Sequence, residues 1–107
     1  MAADTVVLDT LADMTAASIE RGTLDGREHM IARLAALVAV DAPAASYLLN
    51  AGTAAEVGVT LDDVQGLLVA VAPIVGTPRV VTAAANIADA LGIAVAVLEA
   101  ELDADLE

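Results

Sequence analysis

Residues 60–78 read TLDDVQGLLVAVAPIVGTP, and this stretch decides the fold class. Thr60 and Asp63 have the spacing of a capping box, in which two side chains bond the free backbone N–H groups of a helix start. Gly76 is a typical helix end, and Thr77 with Pro78 begins another helix, because proline suits a first turn. Between these signals, apolar residues recur at helical spacing at Val64, Leu67, Leu68, Val71 and Ala72. The stretch therefore predicts one complete helix with a buried stripe and the start of the next helix.

The segments on both sides repeat these start and stop signals. Upstream, Asp41 as a cap and Pro43 in the first turn predict a helix that ends at Gly58 in a left-handed conformation. Downstream, the helix that begins at Thr77 is rich in alanine, and we expect Gly92 to end it. Small residues permit close approach between helices, so this region is expected to pack tightly.

Two more helices are predicted before this region. In the first, Asp4 is the cap and Gly22 the terminator. Its apolar residues at helical spacing are Val7, Leu8, Leu11, Met14, Ala17 and Ile19. The second helix is predicted over residues 27–40. Its buried stripe is predicted to be Met30, Ile31, Leu34, Leu37 and Val38.

The C-terminal residues predict a short last helix followed by an acidic tail. The helix is expected over residues 93–102. The acidic residues of the tail are Glu99, Glu101, Asp103, Asp105 and Glu107. We expect this tail to fray, because negative charge at a helix C-terminus opposes the helix dipole. No alternating apolar and polar pattern indicates a strand. The chain is therefore predicted to be a single all-α domain of about five to six helices.

The composition predicts self-association. The chain is 59% hydrophobic, yet Tyr47 is its only aromatic residue. Alanine supplies much of the apolar content and buries little area per residue, so one copy would have a thin core. Apolar surface would remain exposed, and packing against further copies is the usual way to cover it. We therefore predict a homo-oligomer.

Charge and hydropathy argue against several classes of partner. The formal net charge is −12, which repels a phosphate backbone and makes nucleic acid an improbable partner. The longest charge-free run, residues 64–78, is shorter than the ~20 residues of a membrane span and contains Pro and Gly. Asp4 and Asp9 stand where a secretion signal would carry cations. We expect no membrane partner and a cytoplasmic location.

The supply of ligand-type side chains limits the chemistry. The chain has no cysteine, which excludes disulfides, thiolate metal sites and a redox dithiol. One histidine among scattered carboxylates lacks the spacing of a metal site. We therefore expect neither a metal nor a cofactor.

Four stretches keep the order and spacing of one known family. They are LDGR at 24–27 with IARLA at 31–35, AAEVGVT at 54–60, DDVQGLL at 62–68 and APIVGTP at 72–78. On these stretches, residues 24–91 resemble the carboxymuconolactone decarboxylase family, whose fold is that of alkylhydroperoxidase D. The resemblance implies a compact orthogonal helical bundle that associates as a trimer or hexamer. It divides the domain into an N-terminal helix (1–23), a family core (24–91), and a C-terminal helix with the acidic tail (92–107).

The thiol chemistry of the family's redox members is not implied for this chain. Those members carry Cys-x-x-Cys and a following His near the start of a helix, where the helix N-terminus lowers the pKa of a thiol. The matching positions here are Pro43, Ser46 and Asn50, and the family's proton-relay Glu falls near Met30. In lactone-decarboxylating members, the same stretch carries a His. Here residues 43–50 hold no group that ordinarily titrates below about pH 9.

The polar residues of the third helix are the first candidates for a site. Ser46 and Asn50 share one helix face at i and i+4, with Tyr47 adjacent. They could line the family's pocket and donate hydrogen bonds to a ligand. Alternatively, Ser46 bonds to its own helix and Tyr47 fills the core with its hydroxyl at the rim.

His29 and Arg79 are the remaining candidates. A lone His beside a buried stripe is more often a surface or interface residue than a catalytic base. Arg79 is predicted in the first turn of a helix, where the dipole disfavours a cation. An intersubunit ion pair, an anionic ligand or full solvation of the Arg79 side chain would offset this unfavourable interaction. The same alternatives apply to Arg33. Asp62 and Asp63 are explained by capping, because neighbours in sequence do not face each other on a helix.

Two hypotheses for function follow. The first is a non-redox oligomeric family member with a structural or small-ligand-binding role. The second is an enzyme that uses the family pocket for acid–base chemistry, of decarboxylase, lyase or isomerase type, on a small apolar or lactone-like substrate. The replaced positions at Met30, Pro43, Ser46 and Asn50 favour the first hypothesis, and the Ser46–Tyr47–Asn50 face with Arg79 leaves the second open.

Overall fold

The computed structural model describes the backbone of residues 2–106 and the side chains of residues 5–92, 99 and 100. Over this range the chain forms five α-helices and no strand, which confirms the all-α class. The helices are α1 (Ala2–Arg21), α2 (Gly26–Ala39), α3 (Ala44–Glu56), α4 (Leu61–Val75) and α5 (Thr77–Leu106). None of the described helices combines the length and the apolar character that a membrane crossing requires.

Helices α2 to α5 share one hydrophobic core. The main packing pairs are α3 with α5, α2 with α4 and α2 with α3. The stripe predicted for the second helix is confirmed, with Val38 fully buried at its C-terminal end. The buried residues are Met30, Leu34, Val38, Ala42, Tyr47, Ala54, Leu67, Ala83 and Ala90. Three of these nine are alanines on α3 and α5, so the helices approach closely and the core is thin, as the composition predicts.

The first turn of α2 begins one residue earlier than predicted. Asp25 is the N-cap: its Oδ1 accepts from the Glu28 N–H at 2.8 Å, and Glu28 Oε1 accepts from the Asp25 N–H at 3.1 Å. This is a complete capping box, which the sequence prediction missed because it placed residues 23–26 in a connector. Gly26 is required here, because a Cβ on it would lie 2.9 Å from Cγ1 of Val57.

Asp41 ends α2 and does not cap α3, so that prediction was wrong. Its φ is 57°, in the left-handed region, and its N–H donates to the Val38 carbonyl at 3.2 Å. Aspartate tolerates this conformation better than most residues, and it closes the C-terminus of a helix. Pro43 is the N-cap residue of α3 instead, and its ring cannot supply a side-chain cap.

The boundaries of α4 are confirmed. Thr60 Oγ1 accepts from the Asp63 N–H at 3.1 Å, and Asp63 Oδ2 accepts from the Thr60 N–H at 2.9 Å. Gly58 and Gly76 both have positive φ, 87° and 89°, and they end α3 and α4 as predicted. Helix α5 begins at Thr77 itself, with Pro78 in its first turn.

Helix α5 does not end at Gly92, so the prediction of a separate last helix was wrong. The backbone stays helical from Thr77 to Leu106. A glycine in a helix interior costs only about 1 kcal/mol relative to alanine, and the following residues are rich in helix-forming Ala and Leu. The predicted fraying of the acidic tail concerns residues 101–107, whose side chains lie outside those described.

Helix α1 stands apart from the core. Its apolar residues are exposed, with Leu11 at 52% and Met14 at 62% exposure, and α1 is absent from the main packing pairs. The radius of gyration is 15.3 Å, whereas a compact domain of this length has about 13 Å. The predicted helix is therefore present, but it begins at Ala2, so the prediction of Asp4 as its N-cap was wrong. Among the described residues, its apolar side makes little contact with the core helices.

Candidate functional site

A cavity of about 260 Å³ lies between α3, α4 and α5. Helix α3 contributes alanines to its wall, while α4 and α5 contribute longer aliphatic side chains. The lining residues are Leu34, Tyr47, Ala51, Ala54, Ala55, Val59, Thr60, Leu61, Val64, Ile87, Ala90 and Leu91. The cavity exists because small alanines on α3 face α5, where larger side chains would have filled the space. Among the described residues, it is a pocket with a strongly apolar lining.

Tyr47 provides the most distinctive polar group of this cavity. The residue is only 4% exposed, and its hydroxyl is buried without a hydrogen-bond partner among the described residues. A buried hydroxyl nearly always has a partner, because leaving it unsatisfied costs about 1–3 kcal/mol. One of the two predictions placed this hydroxyl at the rim of the core, whereas the structure buries it.

The Tyr47 hydroxyl is a hydrogen-bond donor and not a base. Burial raises the pKa of Tyr47 above its ordinary value, and the negative charge of Asp41 raises it further. Both causes disfavour the phenolate. At neutral pH the side chain is protonated and carries one O–H donor.

Ser46 and Asn50 lie on the neighbouring face of α3 and do not line the cavity. Both side chains are half-buried, and Asn50 Nδ2 donates to the carbonyl of Ser46 at 2.7 Å. The side chain that bonds back to the helix is thus that of Asn50, where the sequence suggested that of Ser46. This bond uses one N–H donor of the Asn50 amide, and neither residue lines the cavity.

Arg79 and Asn86 connect α5 to the ends of α2 and α3. Arg79 Nη1 donates to the carbonyl of Ala39, the last residue of α2, where a cation is favoured by the helix dipole. Asn86 Nδ2 donates to the carbonyl of Ala42 at 3.2 Å. Arg79 therefore has a partner within its own chain. Asn86 was not a sequence candidate, because an Asn inside an alanine-rich helix carries no recognisable pattern.

His29 is separate from the cavity. It is half-buried on α2, its Nε2 is buried without a hydrogen-bond partner among the described residues, and its Nδ1 lies near Gly22. The structure thus brings Tyr47 alone, of the five candidates, into the cavity wall. Among the described residues, no group of three His, Asp or Glu side chains could hold a metal ion.

A second concave surface lies on the opposite side of α2, between α2 and α4. Small residues line its open part, while Leu67 and Val71 form its floor. Asp63 stands at one end and forms an ion pair with Arg27, which joins the first turns of α4 and α2. The hydrogen bond from the Thr60 N–H, with the further contacts to the Thr60 hydroxyl and Arg27, lowers the pKa of Asp63.

The fold and the site define a small all-helical domain with an apolar cavity and no thiol. The model of the carboxymuconolactone decarboxylase family matches residues 6–90 of the chain. The chain therefore belongs to the carboxymuconolactone decarboxylase family. The match begins within α1, earlier than the resemblance seen in the sequence from Leu24. No curated protein and no solved structure matches the chain with significance.

Proposed function

We propose that this protein is a non-redox member of its family that binds a small, mainly apolar molecule in the cavity between α3, α4 and α5, and that it works as a homo-oligomer. The apolar cavity with Tyr47 in its wall is the observation that carries the ligand-binding part. The apolar part of a ligand would contact the surrounding alkyl groups, and a ligand oxygen would accept a hydrogen bond from the buried Tyr47 hydroxyl once the ring rotates toward the cavity.

The size of the cavity limits the ligand. An engineered apolar cavity of about 150 Å³ binds benzene. A cavity of about 260 Å³ has room for one six-membered ring with short substituents. The ligand class is therefore a small cyclic or branched molecule with a single hydroxyl, carbonyl or ester oxygen.

The acid–base alternative has less support. Tyr47 is the titratable side chain of the cavity wall, and its raised pKa keeps it protonated. Asn50 and Arg79 do not line the cavity, and they bond to the Ser46 and Ala39 carbonyls. A proton-transfer reaction needs a group that exchanges protons near the working pH.

Cyclohexanol is a suitable probe, because it has one ring and one hydroxyl. We expect saturable binding with a Kd of about 1 mM or below, which equals about −4 kcal/mol and is modest for a ligand of about seven heavy atoms. Titration followed by NMR should move the resonances of cavity residues. Tyr47, the only aromatic residue, gives a second signal in near-ultraviolet circular dichroism.

Two variants of α3 distinguish the cavity from the surface. Ala51→Leu replaces a methyl group at the cavity wall by an isobutyl group and should abolish cyclohexanol binding. Ala45→Leu makes the same change at an exposed position of the same helix and should leave binding unchanged. Equal binding by both variants would show that the cavity is not the site.

Tyr47→Phe tests the hydroxyl separately. One lost hydrogen bond of 0.5–1.5 kcal/mol should weaken cyclohexanol binding by about two- to tenfold. The ligand-free variant should be at least as stable as the original protein, because its buried, unpartnered hydroxyl is gone. Unchanged cyclohexanol affinity would contradict a donating role for this group.

The self-association part rests on exposed aliphatic side chains on several helices. Ile74 and Leu49 are 85% and 84% exposed, and α1 exposes its whole apolar side. Soluble monomers rarely leave such surfaces uncovered. Sedimentation equilibrium at micromolar concentration should give a mass of several chains, as the family resemblance implies for a trimer or hexamer. A mass of one chain would contradict this part.

A further inference from the structure

Helix α1 carries an apolar stripe although it is absent from the main packing pairs of the described chain. Its apolar stripe consists of Val7, Leu8, Leu11, Met14 and Ile19, all of which are at least half exposed. Asp9, Asp13 and Glu20 share the opposite side, since they are four and seven residues apart. A helix with one apolar and one acidic side is built to bury the apolar side against another surface.

The groove between α2 and α4 has the shape and lining to receive a helix. Ala32, Gly66 and Ala70 are small and exposed along it, so another helix can approach closely. The groove follows α4 from Asp62 to Val71, about 14 Å along the helix axis. The same length on α1 reaches back from Arg21 to about Leu11, which includes Met14.

Charge at one end of the groove sets the direction of the incoming helix. Asp62 lies exposed at the end formed by the first turn of α4. On α1, Arg21 is seven residues after Met14 and lies on the same side of the helix. Pairing Arg21 with Asp62 therefore seats the stripe in the groove with α1 antiparallel to α4.

The buried area decides between a one-sided and a reciprocal contact. Burying a large aliphatic side chain removes about 60–120 Å² of apolar surface. Leu11, Met14 and Ile19 are the stripe residues that fit the length of the groove, and together with the groove they bury at most about 360–720 Å² in total, which is less than a specific interface needs. Two such contacts related by a two-fold axis bury about twice this area, which at its upper end reaches the size of a specific interface.

We infer that α1 of one copy docks in the α2–α4 groove of a second copy, and that two copies exchange their α1 helices reciprocally. This inference rests on the self-association part of the proposed function and is independent of the ligand cavity. A reciprocal exchange is a two-fold contact, so it fits a dimer or a hexamer made of dimers, and it does not by itself build a trimer.

Gly66→Leu tests the groove in the full chain. A Cβ on Gly66 meets nothing within 4 Å, so the new side chain has room in one copy, and leucine is the better helix former. Filling the groove should raise the dissociation constant of self-association at least tenfold without lowering the melting temperature of the dissociated chain. Gly52→Leu is the matched control, because Gly52 is an exposed mid-helix glycine on α3 with equally open surroundings.

The outcomes of this comparison are separable. Self-association that weakens in Gly66→Leu alone supports the groove as the docking surface. Equal effects of the two substitutions would overturn the docking inference while the original protein still associates. A monomeric original protein would overturn both the docking inference and the proposed self-association.

Cross-linking identifies the occupant of the groove. The chain has no cysteine, so Met14→Cys and Ala70→Cys introduce unique thiols. A short bismaleimide should join a mixture of the two variants into mixed dimers more efficiently than it joins either variant alone. Efficient cross-linking of Met14→Cys alone into dimers would indicate that α1 pairs with α1. A cross-link within one chain of the variant that carries both cysteines would indicate that α1 folds onto its own groove. Either result would overturn the inference.

A charge exchange tests the direction of α1. Arg21→Asp should weaken self-association about two- to fivefold at low ionic strength, because an exposed ion pair contributes about 0.2–1 kcal/mol. Asp62→Arg combined with Arg21→Asp should restore at least half of the loss. The antiparallel placement would be overturned if Arg21→Asp weakens self-association and the combined variant restores none of the lost affinity.

Discussion

Helices α1 and α2 are neighbours in the chain and carry similar apolar patterns, but their surroundings differ. In α2, Leu34 is 7% exposed and Val38 is fully buried between α3, α4 and α5. In α1, Leu11 is 52% exposed and the helix is absent from the main packing pairs. An apolar stripe therefore predicts which side of a helix is suited to burial, but it does not show whether the covering surface belongs to the same chain.

The capping signals of the two helices show the same contrast. Helix α2 has a complete capping box at Asp25 and Glu28, and α4 has one at Thr60 and Asp63. These local devices fix the starts of helices that pack within the chain. Helix α1 is absent from the main packing pairs, and we propose that a second copy of the chain covers its apolar side.

The largest expected effect separates the two stripes directly. Leu34→Ala should lower the free energy of unfolding by about 2–5 kcal/mol, because it leaves a cavity in the core. Leu11→Ala should lower it by less than about 0.5 kcal/mol in the dissociated chain. Urea unfolding at submicromolar concentration measures both values. A loss at Leu11 as large as that at Leu34 would show that α1 is part of the core of a single copy.

A smaller effect is expected at the start of α4. Thr60→Ala removes one partner of the capping box and should cost about 1 kcal/mol. Thr60→Ser keeps the hydroxyl and should retain most of this stability. Equal losses in the two variants would indicate that Thr60 matters through its methyl group at the cavity wall and not through the cap.

The loss of folding stability at low pH should depend on Asp63. Its pKa is lowered in the folded chain, first by the Thr60 N–H, so its contribution is fully present above the unfolded pKa of about 3.9. The contribution disappears as the pH falls through the lower folded value. Asp63→Asn should therefore lower the urea midpoint at pH 7 and flatten its decline below about pH 4, and Asp62→Asn controls for the loss of one carboxylate. An unchanged decline in Asp63→Asn would contradict this assignment.

The smallest effect is expected at the turn between α2 and α3. Asp41 holds a positive φ of 57°, which glycine adopts without steric cost. Asp41→Gly should raise the free energy of unfolding by up to about 1 kcal/mol, as measured by thermal unfolding. Asp41→Ala should lower it. Destabilisation by both substitutions would indicate that the Asp41 side chain, and not its backbone conformation, supports the turn.

Much of the fold follows from local signals in the sequence. The helix ends at Gly58 and Gly76 and the capping box at Thr60 were predicted because backbone conformation at these points depends on the residues themselves. The role of Asp41 was not, because aspartate suits both an N-cap and a left-handed helix end. Gly92 was misjudged because a glycine ends a helix only where the chain must turn.

The candidate site was only partly accessible from the sequence. Tyr47 was chosen because it is adjacent to Ser46 and Asn50 on the third helix, and it does line the cavity. The cavity itself arises from which alanines of α3 face α5, a consequence of packing that no local pattern records. The pairing of Arg79 with the end of α2 is likewise a long-range contact between residues that are 40 positions apart.

The central claim is that the apolar side of α1 is covered by a second copy of the chain. Sedimentation equilibrium of the original protein, Leu11→Glu and Ala16→Glu at micromolar concentration tests it most directly. Ala16 lies on the acidic side of α1, so its variant controls for the added charge. We expect a mass of several chains for the original protein and Ala16→Glu, and a reduced mass for Leu11→Glu. A mass of one chain for the original protein, or an undiminished mass for Leu11→Glu, would contradict the claim.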